Sequence, residues 1–141
     1  MTPDLKPHNE EEKKFYQWFR TQMNEHQVHI QRIENTVGSG IPDVNLCHKG
    51  NEAWVELKIL TNGRTLLRGV QYAWGIKRSQ AGGKVWVLCL DTRTEAIFMY
   101  RFPKVRVERY AKKYLAVTST PQFLTYKKTK FNLLETLLFT V

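Results

Sequence analysis

Pro42-Asp43 is followed, thirteen residues after the aspartate, by Glu56-Leu57-Lys58. Two carboxylates and an ammonium are groups that can hold a hard divalent cation and act on a water beside it. Mg²⁺ takes oxygen ligands in octahedral geometry and keeps several of its waters. Asp43 and Glu56 would supply carboxylate oxygens, and the Leu57 backbone carbonyl is a further candidate ligand. A bound cation acidifies water and polarises a phosphoryl oxygen. Lys58 would orient or help deprotonate that water and offset the charge that develops on phosphorus. The plain alternative is a surface ion pair of Lys58 with either carboxylate, which contributes little.

The elements around these residues must bring them together. Side chains two apart on a strand share a face, so Glu56 and Lys58 point one way and Val55 and Leu57 the other. Residues 43–47 and 53–59 read as two strands around the turn His48-Lys49-Gly50-Asn51-Glu52. A Lys49-Gly50 loop would pair Asp43 with Glu56, whereas a Gly50-Asn51 loop would pair Asp43 with Lys58 and Asn45 with Glu56. Both registers put Asp43, Glu56 and Lys58 on one face, within cross-strand reach. A one-residue slip would turn Asp43 towards the face of Val55 and Leu57, against the hydrophobic pattern.

Around this hairpin the sequence predicts an α/β fold with a mixed sheet. Asn9 with Glu12 resembles a capping box, and Phe15, Trp18, Phe19 and Met23 recur at helical spacing over residues 10–24. Residues 28–34 read as a strand and 36–40 as a Gly-rich turn. Residues 66–80 read as a helix stopped by Gly82-Gly83. The apolar run Val85-Trp86-Val87-Leu88-Cys89-Leu90 is expected to be a strand buried on both faces. A strand over 96–102 and helices over 104–116 and 130–139 complete the order α-β-β-β-α-β-β-α.

The chain of 141 residues carries a net charge of +9. Residues 101–141 hold nine Lys and Arg against two Glu, hence +7 of that total, interleaved with Tyr110, Tyr114, Phe123, Tyr126 and Phe131. Cations neutralise phosphates and aromatic faces stack on bases, which favours a nucleic-acid partner. A solvated basic face that aids solubility is the alternative. The basic residues do not lie on one long amphipathic helix, which argues against a membrane surface. No apolar run approaches the ~20 residues of a membrane helix, and Met1–Lys6 is too polar for a signal peptide. Cys47 and Cys89 sit in apolar stretches and read as reduced core thiols, so the expected compartment is the cytoplasm. The four His and two Cys lack zinc-site spacing. Trp18, Trp54, Trp74 and Trp86 read as core, although Trp54 shares a face with Glu56 and Lys58 and could wall a site.

Asp43 and Glu56-Leu57-Lys58, preceded by Gly38-Ser39-Gly40 and followed by Gln71 and then Ala81-Gly82-Gly83 before a hydrophobic strand, resemble the PD-(D/E)XK nuclease superfamily. Within it the chain is similar to the virus-type replication-repair nucleases and the archaeal-type Holliday junction resolvases, over about residues 10–90. The resemblance implies a restriction-endonuclease-like αβββαβ core, dependence on Mg²⁺ or Mn²⁺, and hydrolysis of phosphodiester bonds in branched or flapped DNA. It implies a first-helix glutamate facing the metal, for which Glu11 and Glu12 both qualify, and a second-helix glutamine, matched by Gln71. Ser39 would contact a phosphate or shape its turn.

A metal-dependent, structure-selective endonuclease follows as the expectation, a homodimer if it resolves four-way junctions. Arg32, Arg64 and Arg68, with the basic tail that includes Lys112, Lys113, Lys127 and Lys128, would engage the phosphate backbone. Such contacts position DNA without reading its sequence. The chain is read as one domain, with a core over about 10–102 and a basic extension over 103–141. A DNA-junction-binding accessory protein without chemistry and an RNA-processing nuclease are the alternatives.

Overall fold

The computed structural model describes residues 9–34 and 39–140. The Thr36-Val37-Gly38 part of the expected turn and most of the N-terminal arm lie outside these residues. The chain opens with α1 (Asn9–Asn24) and β1 (His29–Arg32), then β2 (Val44–His48) and β3 (Asn51–Ile59). A short strand β4 (Leu66–Arg68) precedes α2 (Gly69–Gln80) and β5 (Val85–Leu90). The remainder is β6 (Ala96–Arg101), β7 (Val107–Ala111), β8 (Tyr114–Val117), β9 (Phe123–Tyr126) and α3 (Leu133–Phe139).

A six-stranded sheet in the order β1-β2-β3-β5-β6-β9 forms the centre. Only β3 and β5 run parallel, joined through α2; every other pairing is antiparallel. This is the mixed-sheet α/β architecture of the restriction-endonuclease-like folds, with α1-β1-β2-β3-α2-β5 as its core. The parallel β3–β5 pair demands a crossover connection, and α2 supplies it. All six residues of β5 are buried, as its unbroken apolar run requires.

The two faces of the sheet are covered differently. Val55, Leu57, Trp86, Leu88 and Met99 face α1 and α3, which bury Phe15, Phe19 and Met23 and Leu133, Leu134, Leu137 and Leu138. Phe15, Phe19 and Met23 recur every four residues, so one stripe of α1 is apolar. Asn132 caps α3 by accepting the Glu135 N–H at 2.9 Å. The Trp86 indole N–H donates to the Leu137 carbonyl at 2.9 Å, tying α3 to the central strand. On the other face Val85, Val87 and Cys89 pack with Leu67, Tyr100, Phe102 and Val105 beneath α2. Gly75 of α2 allows this contact: a Cβ there would lie 2.4 Å from the Phe102 ring.

Three helix expectations are revised, the smallest being α3, which starts at Leu133 rather than at residue 130. Residues 66–68 pair with β8 and become β4, so α2 starts at Gly69. Residues 104–116, expected as a helix, instead contain β7 and most of β8, which pair with each other and with β4 as a second sheet in the order β4-β8-β7. Val105 and Val107 are β-branched, and burying Ala116 against Leu66 and Leu67 needs extended partners far away in sequence. A strand at Phe123–Tyr126, which no local pattern announced, forms the edge of the main sheet. Residues 103–140 are thus woven through the molecule, giving two strands to the small sheet, one to the main sheet and a helix to the core. Among the described residues no helix is long and apolar enough to cross a membrane.

Candidate active site

The hairpin register decides what faces what. Lys49 and Gly50 both have positive φ, 50° and 80°, and form the two-residue loop between β2 and β3. The last pair of the ladder is Val44 with Val55, so Asp43 stands opposite Glu56 one step further on. Of the two possible registers this is the Lys49-Gly50 one. β3 then runs on through Ile59 without a β2 partner, and this gap opens the sheet beside Asp43. Asp43 Oδ2 accepts the Leu57 N–H at 3.0 Å, fixing the carboxylate at the gap. The N–H and C=O of one strand residue project to the same edge, so the Leu57 carbonyl opens on the Asp43 side as well.

Glu56 is only 5% exposed. Its Oε2 accepts from Gln71 Nε2 at 3.2 Å and lies 3.8 Å from Lys58 Nζ. Gln71 in turn accepts the Arg68 N–H through Oε1 at 2.9 Å, which fixes its amide orientation and caps the start of α2. Burial raises the Glu56 pKa well above the usual carboxylate value, and the neighbouring Asp43 raises it further; Lys58 and Arg68 pull the other way. Among the described residues nothing donates to Glu56 Oε1. Asp43 is within reach to share a proton with Glu56. Two carboxylates facing each other need either that proton or a cation between them.

The donor set fits a hard divalent ion. It consists of two carboxylates and a backbone carbonyl, all oxygen, and the buried Oε1 has no donor to satisfy it. Among the described residues no group of three or more His, Cys, Asp or Glu side chains is arranged to hold a metal.

The remaining sequence-predicted residues fall in several places. α1 packs against the face of Val55 and Leu57, opposite that of Glu56 and Lys58. On it Glu12 is exposed, and Glu11 lines a cleft of about 230 Å³ with Leu90, Glu95 and Lys127. Arg32 stacks on Tyr16 and Arg64 on Tyr110. Ser39 is half-buried beside Gly40, which abuts the first turn of α2. Arg68 adjoins Glu56 at the start of α2. Lys112 and Lys113 form the exposed tip of the β7–β8 hairpin. Lys127 and Lys128 flank Glu95 at 4.0 and 3.8 Å.

Asn45 is the residue that sequence reasoning passed over. It lies two residues from Asp43 on the same face and opposite Trp54. Asn45 Nδ2 and Trp54 Nε1 are buried and find no acceptor among the described residues, so with Glu56 Oε1 they make a row of unsatisfied polar atoms. The signal was present in the parity of Asp43-x-Asn45, but it pointed to no particular chemistry. Cys89, beneath the site, has its thiol pushed up to about 12 by burial and stays neutral.

No protein-family model and no curated protein sequence matches this chain. The fold is nonetheless shared with solved structures and is restriction-endonuclease-like. One such structure is that of Archaeoglobus fulgidus Hjc, a Holliday junction resolvase from an archaeal hyperthermophile, determined at 1.6 Å. The similarity has a TM-score of 0.54 at 14% identity, over 75% of this chain and 82% of that one.

Proposed function

We propose that this chain is a divalent-metal-dependent endonuclease of the PD-(D/E)XK type that hydrolyses phosphodiester bonds in branched DNA. One observation carries the proposal. Asp43, Glu56 and Lys58 converge on one face at a gap in the sheet, with a buried carboxylate oxygen left without a donor. The fold shared with a Holliday junction resolvase supports the choice of substrate.

Asp43 and Glu56 would hold Mg²⁺ or Mn²⁺ together with the Leu57 carbonyl. When bound, the ion supplies an acidified water and a polarised phosphoryl oxygen. Lys58, 3.8 Å from Glu56, would orient the attacking water and offset charge on the phosphoryl oxygens. Gln71 keeps Glu56 in one rotamer, and Arg68 places a fixed positive charge where a phosphate would approach. Arg32, Ser39, Arg64, Lys112, Lys113, Lys127 and Lys128 are assigned to the DNA backbone. Glu11 or Glu12, at the start of α1, is assigned as the further metal ligand.

The test is incubation of labelled four-way junctions, flaps, forks, duplexes and matched RNA with Mg²⁺ and with EDTA. Cleavage of branched DNA only with Mg²⁺ is expected, and Asp43→Asn is expected to abolish it while retaining DNA binding. Undiminished cleavage by that variant would remove Asp43 from the mechanism.

A further inference from the structure

Beside the carboxylates runs a groove of about 500 Å³ between the first turn of α2 and the β7–β8 hairpin. Arg68, Arg109, Lys112 and Lys113 line it, with no acidic residue among the lining side chains. Its walls are otherwise largely apolar, with Val70 on the helix side, 40% exposed, and Leu115 on the hairpin side. Arg68 belongs both to this groove and to the field around Glu56, so one end of the groove adjoins the site.

Four cations around an apolar floor fit an occupant with an apolar face and regularly spaced anions. The volume is that of a small-ligand pocket. A duplex keeps its base faces stacked inside and presents only edges and phosphates, so it cannot use the floor. An unpaired nucleotide can, with its base on the Tyr114 ring beside Val70 and Leu115 and its phosphates on the arginines and lysines. Resting on the nuclease proposed above, we infer that this groove receives an unpaired nucleotide of a DNA strand next to the scissile phosphate and so makes the protein select substrates with a single-stranded stretch there.

Fluorescence anisotropy with labelled oligonucleotides in EDTA reads the groove without cleavage. A single strand or a splayed fork is expected to bind more tightly than a blunt duplex. Lys112→Ala/Lys113→Ala, at an exposed loop tip, is expected to weaken single-strand binding about tenfold and to reduce the salt dependence, log Kd against log salt, by about 1.4, the share of two phosphate contacts. Tyr114→Leu removes the groove's aromatic ring without removing charge. It is expected to cost about tenfold on the single strand, of the order of one lost stacking contact, while the salt slope and duplex binding stay as they were. Equal losses on single strand and duplex would overturn the inference, as would a single-strand affinity that Tyr114→Leu leaves unmoved. So would thymidine monophosphate or oligoglutamate binding as tightly as the strand and with the same sensitivity to these variants. Single-strand preference without Mg²⁺-dependent cleavage would sustain the groove and remove the nuclease; cleavage without that preference would do the reverse.

Discussion

Gln71 holds Glu56 from across the crossover, its Nε2 donating to Glu56 Oε2 at 3.2 Å while its own Oε1 accepts the Arg68 N–H at 2.9 Å. One amide therefore fixes both the rotamer of the buried carboxylate and the first turn of the helix that covers it. Gln71→Ala is expected to lose about 1 kcal/mol of stability for the uncapped amide and its lost hydrogen bond. It should also slow cleavage at saturating Mg²⁺, because Glu56 is then free to rotate. Gln71→Glu keeps the acceptor for Arg68 but sets a third carboxylate beside Glu56, and should lower the Mg²⁺ needed for half-maximal rate. A variant Gln71→Ala with wild-type rate and melting temperature would deny both roles.

The raised Glu56 pKa gives a pH dependence of definite sign. A carboxyl whose folded pKa lies above its unfolded value of 4.5 stabilises the fold below that value, and the contribution is lost as pH rises through the folded pKa. In EDTA, wild-type stability should therefore fall as pH climbs above 4.5. Glu56→Gln, which cannot ionise, should melt progressively higher than wild type over the same range. Mg²⁺ should raise the wild-type melting temperature at pH 8 and leave Glu56→Gln unchanged, because a ligand stabilises only the state that binds it. Melting curves at several pH values, with and without Mg²⁺, check this; a constant gap between the two proteins in EDTA would refute it.

Gly40 has φ of +72°, and a Cβ there would lie 2.2 Å from the Val70 carbonyl oxygen. Gly40→Ala carries about 1–2 kcal/mol of left-handed strain, and the clash adds to it by pushing the loop off α2. Asp43 sits three residues on, so cleavage should fall far more than the loss of stability explains. Activity measured well below the variant's melting temperature checks this, and full activity there would show that the loop does not position Asp43.

Gly75 is needed for packing rather than for chemistry. Gly75→Ala drives a Cβ into the Phe102 ring, 2.4 Å away, and should destabilise by about 1–3 kcal/mol as an overpacked core does. Phe102→Leu in the same chain should recover part of that loss. Denaturant unfolding of the single and double variants measures the coupling, and strict additivity would show that helix and ring do not compete for the space.

The sequence alone determined the site's parity. Alternation along a strand is a local property, and both hairpin loops that keep Val44, Leu46 and Val55 inside also put Asp43, Glu56 and Lys58 together. It determined β5 too, whose continuous apolar run suits only a strand buried on both faces. Which loop was used, and hence that Asp43 faces Glu56 rather than Lys58, depended on the left-handed backbone at Lys49-Gly50. The β7–β8 hairpin was beyond local reading, because residues 104–116 have no decisive periodicity and the two strands, which pair with each other, join a sheet only when β4, some fifty residues earlier, pairs with β8. The high Glu56 pKa was likewise settled by tertiary structure. A Glu-x-Lys on a strand is ordinary until the packing of α2 over the sheet removes water from it, with Asp43 adding a second negative charge across the hairpin.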